Sequence, residues 1–236
     1  MKLRIKFKKF GPVKFIGHLD VMRFFQKALR RADIDVAYSG GFSPHQIMSF
    51  ASPLGVGLES NGEYFDVEIL SPISSREFMD RVNAVSVPWI QITDVRLLPD
   101  KAGNAMASVA AADYTIRFRD GRELCVDWQQ KFEDFMVQEH IKIIKATKRG
   151  TAEIDLKPAI YNYKVIDDSI YLLVNASSEG NIKPTLVIDA FSAFLGETLQ
   201  ENALLITREE TYGSKVYKEG NVKFIPLADF GEWVES

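Results

Sequence analysis

Two rows of cations have the types and spacing to hold an anion. Residues 1–31 carry ten Lys and Arg (Lys2, Arg4, Lys6, Lys8, Lys9, Lys14, Arg23, Lys27, Arg30 and Arg31) against one acid, Asp20, a net +9 in a chain of formal charge −3. Such a segment points to an anionic ligand or to charge pairing within the fold. Arg4, Lys6 and Lys8 alternate with Leu3, Ile5 and Phe7, which places them on one face of a strand. Arg23, Lys27 and Arg30 follow at i, i+4 and i+7 on one helix face, with Arg31 beside them. Rows of this kind suit the phosphates of a nucleic acid. Each row also has internal candidates. Asp66 and Glu68 share a parity in the stretch YFDVEIL and stand as cross-strand partners for Arg4 and Lys6. Asp33, Asp35 and Glu63 are the acids that could hold the helix cations.

A glycine loop and two imidazoles add hydrogen-bonding chemistry. In Tyr38-Ser39-Gly40-Gly41-Phe42-Ser43-Pro44-His45, Gly40 and Gly41 allow close approach of backbone to a phosphate or a partner. Ser43 and His45 supply polar groups beside them. The plainer reading is a glycine turn between strands. His18 opens a helix, where a hydrogen-bonding role is the simple one. Were His45 folded over His18, the pair could act as general acid and base. Ferredoxin-like RNA endonucleases use histidine in that way, an analogy at the level of fold. This gives the alternative reading, a metal-independent RNA endonuclease with His18 and His45 as catalytic residues. A third reading is a protein-interaction adaptor whose basic face meets an acidic partner.

Several classes are excluded or disfavoured. The lone Cys125 rules out an internal disulfide and an iron–sulfur cluster held by this chain alone. His18, His45 and His140 are too far apart in sequence for a local zinc motif. No nucleophile elbow, Walker loop or dinucleotide fingerprint occurs, and Gly55-Val56-Gly57 lacks the third glycine. Neither a metal nor a cofactor is therefore expected. Mean hydropathy is −0.08, and no apolar run approaches the ~18 residues of a membrane span. The start, MKLRIKFKKF, lacks the apolar stretch of a signal peptide. A soluble, cytoplasmic protein is expected.

The elements that position these residues follow from periodicity. Residues 2–8 read as a strand and 19–32 as an amphipathic helix with Val21, Met22, Phe25, Ala28 and Leu29 on its apolar stripe. Residues 38–60 read as a long structured loop with a short strand at 47–50. A strand at 64–70, a helix at 74–83 and a strand at 89–98 complete the order βαββαβ, the ferredoxin-like pattern. The small residues 99–112 read as a linker. Strand 114–119, helix 124–138, strands 141–146 and 151–156, a hairpin of 161–166 with 170–175, a helix from Pro184 to Gly196 and a last strand at 204–207 follow. Lys142, Lys145, Lys148 and Arg149 form a small basic cluster near a turn. The expected fold class is α+β: two ferredoxin-like domains in tandem, 1–98 and 113–236, with antiparallel sheets and helices on one face.

The motifs Phe15-Ile16-Gly17-His18-Leu19-Asp20, Ala28-Leu29-Arg30-Arg31-Ala32, Tyr38–His45 and Pro53-Leu54-Gly55-Val56-Gly57-Leu58-Glu59-Ser60 resemble those of the DUF2344 family of radical SAM-associated proteins. Asp155-Leu156-Lys157-Pro158, Lys183-Pro184-Thr185 and Thr207-Arg208 are weaker marks. The resemblance implies a radical SAM partner, often fused or encoded alongside, and an RNA or ribosome-related substrate. It assigns no activity. The chain itself lacks the three cysteines of a SAM-cleaving cluster. Together these readings predict an accessory module that binds RNA or a ribonucleoprotein. The binding residues would be Arg4, Lys6, Lys8, Arg23, Lys27, Arg30, Arg31, Gly40, Gly41, Ser43 and His45.

Overall fold

The computed structural model of the chain describes residues 1–125, 127–147, 150–216 and 221–235. The elements are, in order, β1 (Lys2–Lys9), α1 (His18–Arg31), β2 (Met48–Phe50), β3 (Glu59–Glu68), α2 (Ser75–Ala84), β4 (Ile90–Leu97), α3 (Ala105–Ser108), β5 (Ala111–Phe118), α4 (Trp128–Met136), β6 (Lys142–Thr147), β7 (Gly150–Asp155), β8 (Ile160–Ile166), β9 (Ser169–Asn175), α5 (Pro184–Leu195), β10 (Leu204–Val216) and β11 (Val222–Pro226). The fold is mixed α+β, and every described strand register is antiparallel. Two compact units divide it: Met1–Ala110 with Arg208–Ser236, and Ala111–Thr207.

In the first unit the strands run β4-β1-β3-β10, with β2 also on β3 and β11 on β10. Leu3, Ile5 and Phe7 of β1 are buried with Val21, Phe25 and Leu29 of α1 and Phe78 and Val82 of α2. The alternation of β1 and the helical spacing of α1 thus meet in one core. Phe25 lies 4.7 Å from Phe7 and 4.6 Å from Phe65, ring centre to ring centre. Helix α1 ends where Asp33 enters the left-handed region at φ 53°. The Ile34 N–H then reaches back to Leu29 O at 3.0 Å, as in a Schellman stop. Ser74 caps α2, its hydroxyl accepting from Glu77 N–H at 3.2 Å.

The second unit has the order β10-β5-β9-β8, to which β10 contributes residues 204–207, and a separate β6–β7 hairpin. Phe132 and Phe135 of α4 pack on Phe191 of α5 at 5.1 and 5.5 Å. Gly196 ends α5 at φ 70°.

Three boundaries differ from expectation. Residues 99–112 are no plain linker: they hold α3, buried at Ala105, and the start of β5 at Ala111. The expected domain 113–236 is not contiguous, because residues 208–236 belong to the first unit. β10 continues past Thr207 along β3, where Thr211 Oγ1 donates to Gly62 O at 2.8 Å and Asn61 Nδ2 donates to Glu209 Oε2 at 2.7 Å. A Cβ on Gly62 would lie 2.6 Å from Glu210 Cα, so this approach needs glycine. The loop 38–60 is shorter than expected, since β3 already begins at Glu59.

Candidate nucleic-acid interface

The two basic rows meet opposite fates. Arg4 is 1% exposed, and its guanidinium grips Asp66 through Nε–Oδ1 at 2.8 Å and Nη2–Oδ2 at 3.0 Å. The registers place Arg4 directly opposite Asp66, so the cross-strand partner is the one parity suggested. Lys6 pairs instead with Glu210 at 2.5 Å. β10 brings Glu210 alongside, which no local pattern announces. Lys8 is half-buried. Arg4 and Lys6 are therefore internal pairs and not a phosphate-binding face, a correction to the sequence reading.

On α1 the cations stay outside. Arg23, Lys27, Arg30 and Arg31 are all exposed. Arg23 has an exposed i,i+3 contact with Asp20 at 3.4 Å, worth little in water. Arg30 Nε donates to Gln26 O at 3.3 Å, and Arg31 Nη2 to Val85 O at 3.0 Å. These bonds orient the guanidinium groups, and among the described residues no carboxylate pairs with Arg30 or Arg31. The acids that could have neutralised them are engaged elsewhere. Asp33 faces Arg81 at 3.8 Å, Asp35 accepts from Ser71 at 2.6 Å, and Glu63 binds Arg208 at 2.7 Å.

The glycine loop joins this face. Gln46 is buried, and its Nε2 contacts Gln26 O of α1 at 3.4 Å and Tyr38 Oη at 3.5 Å. Ser39 Oγ accepts from His45 N–H at 3.1 Å and meets His45 Nδ1 at 2.8 Å, closing the loop. Gly40, Gly41, Ser43 and His45 are exposed. Gly41 has φ +97°, a conformation that favours glycine. At the tip Phe42 is 109% exposed and Tyr38 is 50% exposed. The sequence reading passed over these two aromatics. They add flat apolar surfaces to a positive helix.

His18 and His45 do not share partners. His18 sits edge-on to Phe50 at 5.1 Å between ring centres, whereas His45 is held by Ser39. No described hydrogen bond joins the two imidazoles. His18 instead borders a second polar cluster that sequence reasoning missed: Lys9, Glu63 and Arg208, all buried. Lys9 shares the odd parity of Leu3, Ile5 and Phe7, the one local sign that it faces the core.

In the second unit, Lys142 pairs with Glu153 at 2.8 Å. Lys148, Arg149 and the side chain of Lys145 lie outside the described residues. Lys157 Nζ donates to Met136 O, and Lys183 precedes the first turn of α5. Asp155 accepts from His140 Nδ1 at 2.7 Å and from the backbone N–H of Ile141 and Lys157 at 2.9 and 3.0 Å. The His140 bond, then that of Ile141, draws its carboxyl down to about 2. A carboxylate held below its ordinary value stabilises the fold above that value and ceases to do so as pH falls through the lowered one. Between about pH 4 and 2, Asp155→Asn is therefore expected to lose less of its thermal midpoint than the parent. Parallel midpoint curves through that window would remove this role.

Among the described residues no group of His, Cys, Asp and Glu is arranged to hold a metal ion, and no helix is long and apolar enough to cross a membrane. A family model described as "Uncharacterized protein conserved in bacteria (DUF2344)" matches residues 2–184. No curated protein matches the chain.

Proposed function

The chain belongs to the DUF2344 family, and from that premise we propose that it is a non-catalytic module that binds single-stranded RNA along α1 and the Tyr38–His45 loop. The observation that supports this reading is that Gln46 Nε2 and Arg30 Nε both reach Gln26 O while Gln46 also contacts Tyr38 Oη, so the loop that carries exposed Tyr38 and Phe42 is tied to the helix that carries exposed Arg23, Lys27 and Arg30. Cations that track a backbone, with aromatics on which bases stack, are the two components of single-strand binding. An acidic protein surface would use the cations and leave Phe42 without a role. In the cell the RNA, free or in a ribonucleoprotein, would be presented to a radical SAM partner, as the resemblance implies.

We also infer a ferredoxin-like βαββαβ plan for each unit. The orders β4-β1-β3-β2 and β10-β5-β9-β8 support it. In that plan the sheet face is a common RNA platform, but here Arg4 and Lys6 are spent on Asp66 and Glu210. Binding on the helix side follows.

The test is fluorescence anisotropy with a short unstructured RNA. Phe42→Ala removes a stacking surface worth about 1–3 kcal/mol per base. It is expected to weaken binding about tenfold or more with the thermal midpoint unchanged. Gly41→Val strains a backbone at φ +97° without meeting any neighbour, and should weaken binding by displacing the loop. Parent-like affinity in both folded variants would remove the loop from the interface. Cleavage of the RNA in chelator, lost in His45→Ala, would favour the endonuclease reading instead.

A further inference from the structure

Helix α5, PTLVIDAFSAFL, is apolar on more than the side it packs into the core. Val187, Ile188 and Phe191 are fully buried. A second stripe, Leu186, Asp189, Ala190, Ala193 and Phe194, follows at i, i+3, i+4, i+7 and i+8, the spacing of one helix face. This stripe is not packed away: Asp189, Ala193 and Phe194 are exposed, Phe194 by 47%. It lines a cavity of about 630 Å³ that lies wholly within the second unit. Phe135 of α4 and Ile143 and Ile144 of β6 add to the apolar lining, and the short side chains of Ala190 and Ala193 leave the space open.

The other polar side chains of the cavity are engaged. Gln138 Nε2 donates to Phe135 O at 2.9 Å, His140 Nδ1 meets Asp155 Oδ2 at 2.7 Å, and Lys142 pairs with Glu153 at 2.8 Å. Asp189 differs. It is the one charged residue of α5, and it has no hydrogen bond or ion pair among the described residues. Its pKa is raised by burial alone: the surrounding apolar groups withdraw water from the carboxylate, and no cation answers it. A mostly apolar cavity of this size with one converging polar group has the form of a small-molecule site. A dozen described residues line it, fewer than the roughly 20–30 that each side of a standard protein interface supplies.

We propose that this cavity binds a small organic cation, an ammonium or guanidinium group on an apolar body, with the charged group on Asp189 and the body against Leu186, Phe194 and Ile144. An anionic ligand would meet the Asp189 carboxylate with no free cation to offset it. A neutral apolar ligand would strip more water from that carboxylate and give it no partner. The site is separate from α1 and does not rest on RNA binding there.

The experiment titrates the whole chain with butyl-, hexyl- and octylammonium, with octanoate and octanol as charge controls, and follows the methyl NMR signals of Ile143, Ile144, Ala190 and Ala193. Saturable shifts of these signals are expected, with affinity rising about threefold to fourfold for each methylene buried. Octylammonium should bind about threefold or more tighter than octanol. Asp189→Asn should abolish that preference and leave octanol binding in place, and Ala193→Leu, which fills the cavity, should block the whole series. Both positions are exposed, so both variants should keep the parent's thermal midpoint. Octanoate or octanol binding as tightly as octylammonium, unmoved cavity methyls, or an undiminished ammonium preference in Asp189→Asn would overturn the proposal. So would a leucine-rich peptide with one lysine that binds here when none of the free ammonium ions does, which would make the cavity a protein docking site.

Discussion

Asp66→Ala is expected to lower the unfolding free energy by about 3–5 kcal/mol, the usual cost of stranding one member of a buried ion pair. Arg4 and Asp66 are 1% and 2% exposed, so water cannot replace the lost carboxylate. The bidentate contact satisfies Nε and one Nη2 proton. The remaining guanidinium contacts, to Leu227 O, Gly103 O and Ser108 Oγ, are all 3.4 Å long and cannot neutralise the charge. Lys2, 3.8 Å from Asp66, would lose its counter-ion as well. The double variant Arg4→Met with Asp66→Leu removes both charges and fills the space with apolar atoms. It should recover most of the loss, because a buried pair typically offers little over a well-packed hydrophobic replacement. Urea unfolding with a common m-value measures all three. A loss below about 1 kcal/mol in Asp66→Ala would mean that Arg4 reaches solvent, and the sheet face would again be open to an anionic ligand.

That pair also shows what a sequence can disclose. Arg4 and Asp66 could be matched because strand parity and the β1–β3 pairing are local properties of two clear strands. Helix α1 was legible for a similar reason: its apolar stripe and lack of Gly or Pro define it, and only the stop at Asp33 needed geometry. The partner of Lys6 was not legible. Glu210 lies 204 residues away, on a strand expected to end at Thr207 that runs on to Val216. Residues 208–211, which include Arg208, Glu209 and Glu210, are too polar to announce burial, yet they pack along β3. Without them the cluster of Lys9, Glu63 and Arg208 has no signature beyond the parity of Lys9. Strand β11 was missed because VKFIP is short and lies beyond the expected last strand. At the interface the cations and glycines were legible from spacing and composition. The exposure of Phe42 and Tyr38 was not, since an isolated aromatic in a loop reads equally as core.

The direct test of RNA binding along α1 is the salt dependence of affinity in the triple variant Arg23→Ala, Lys27→Ala, Arg30→Ala. Each phosphate contact to a single strand contributes about 0.7 to the slope of log affinity against log salt. Loss of three contacts should therefore flatten the slope by about 2 and weaken binding roughly 100-fold at 0.1 M salt. The thermal midpoint should hardly move, because exposed charges without buried partners contribute within about 0.5 kcal/mol. A flattened slope at an unchanged midpoint is the result this account predicts. An unchanged RNA affinity and slope with a lowered midpoint would contradict it, and would make the cations of α1 part of the fold's own electrostatics.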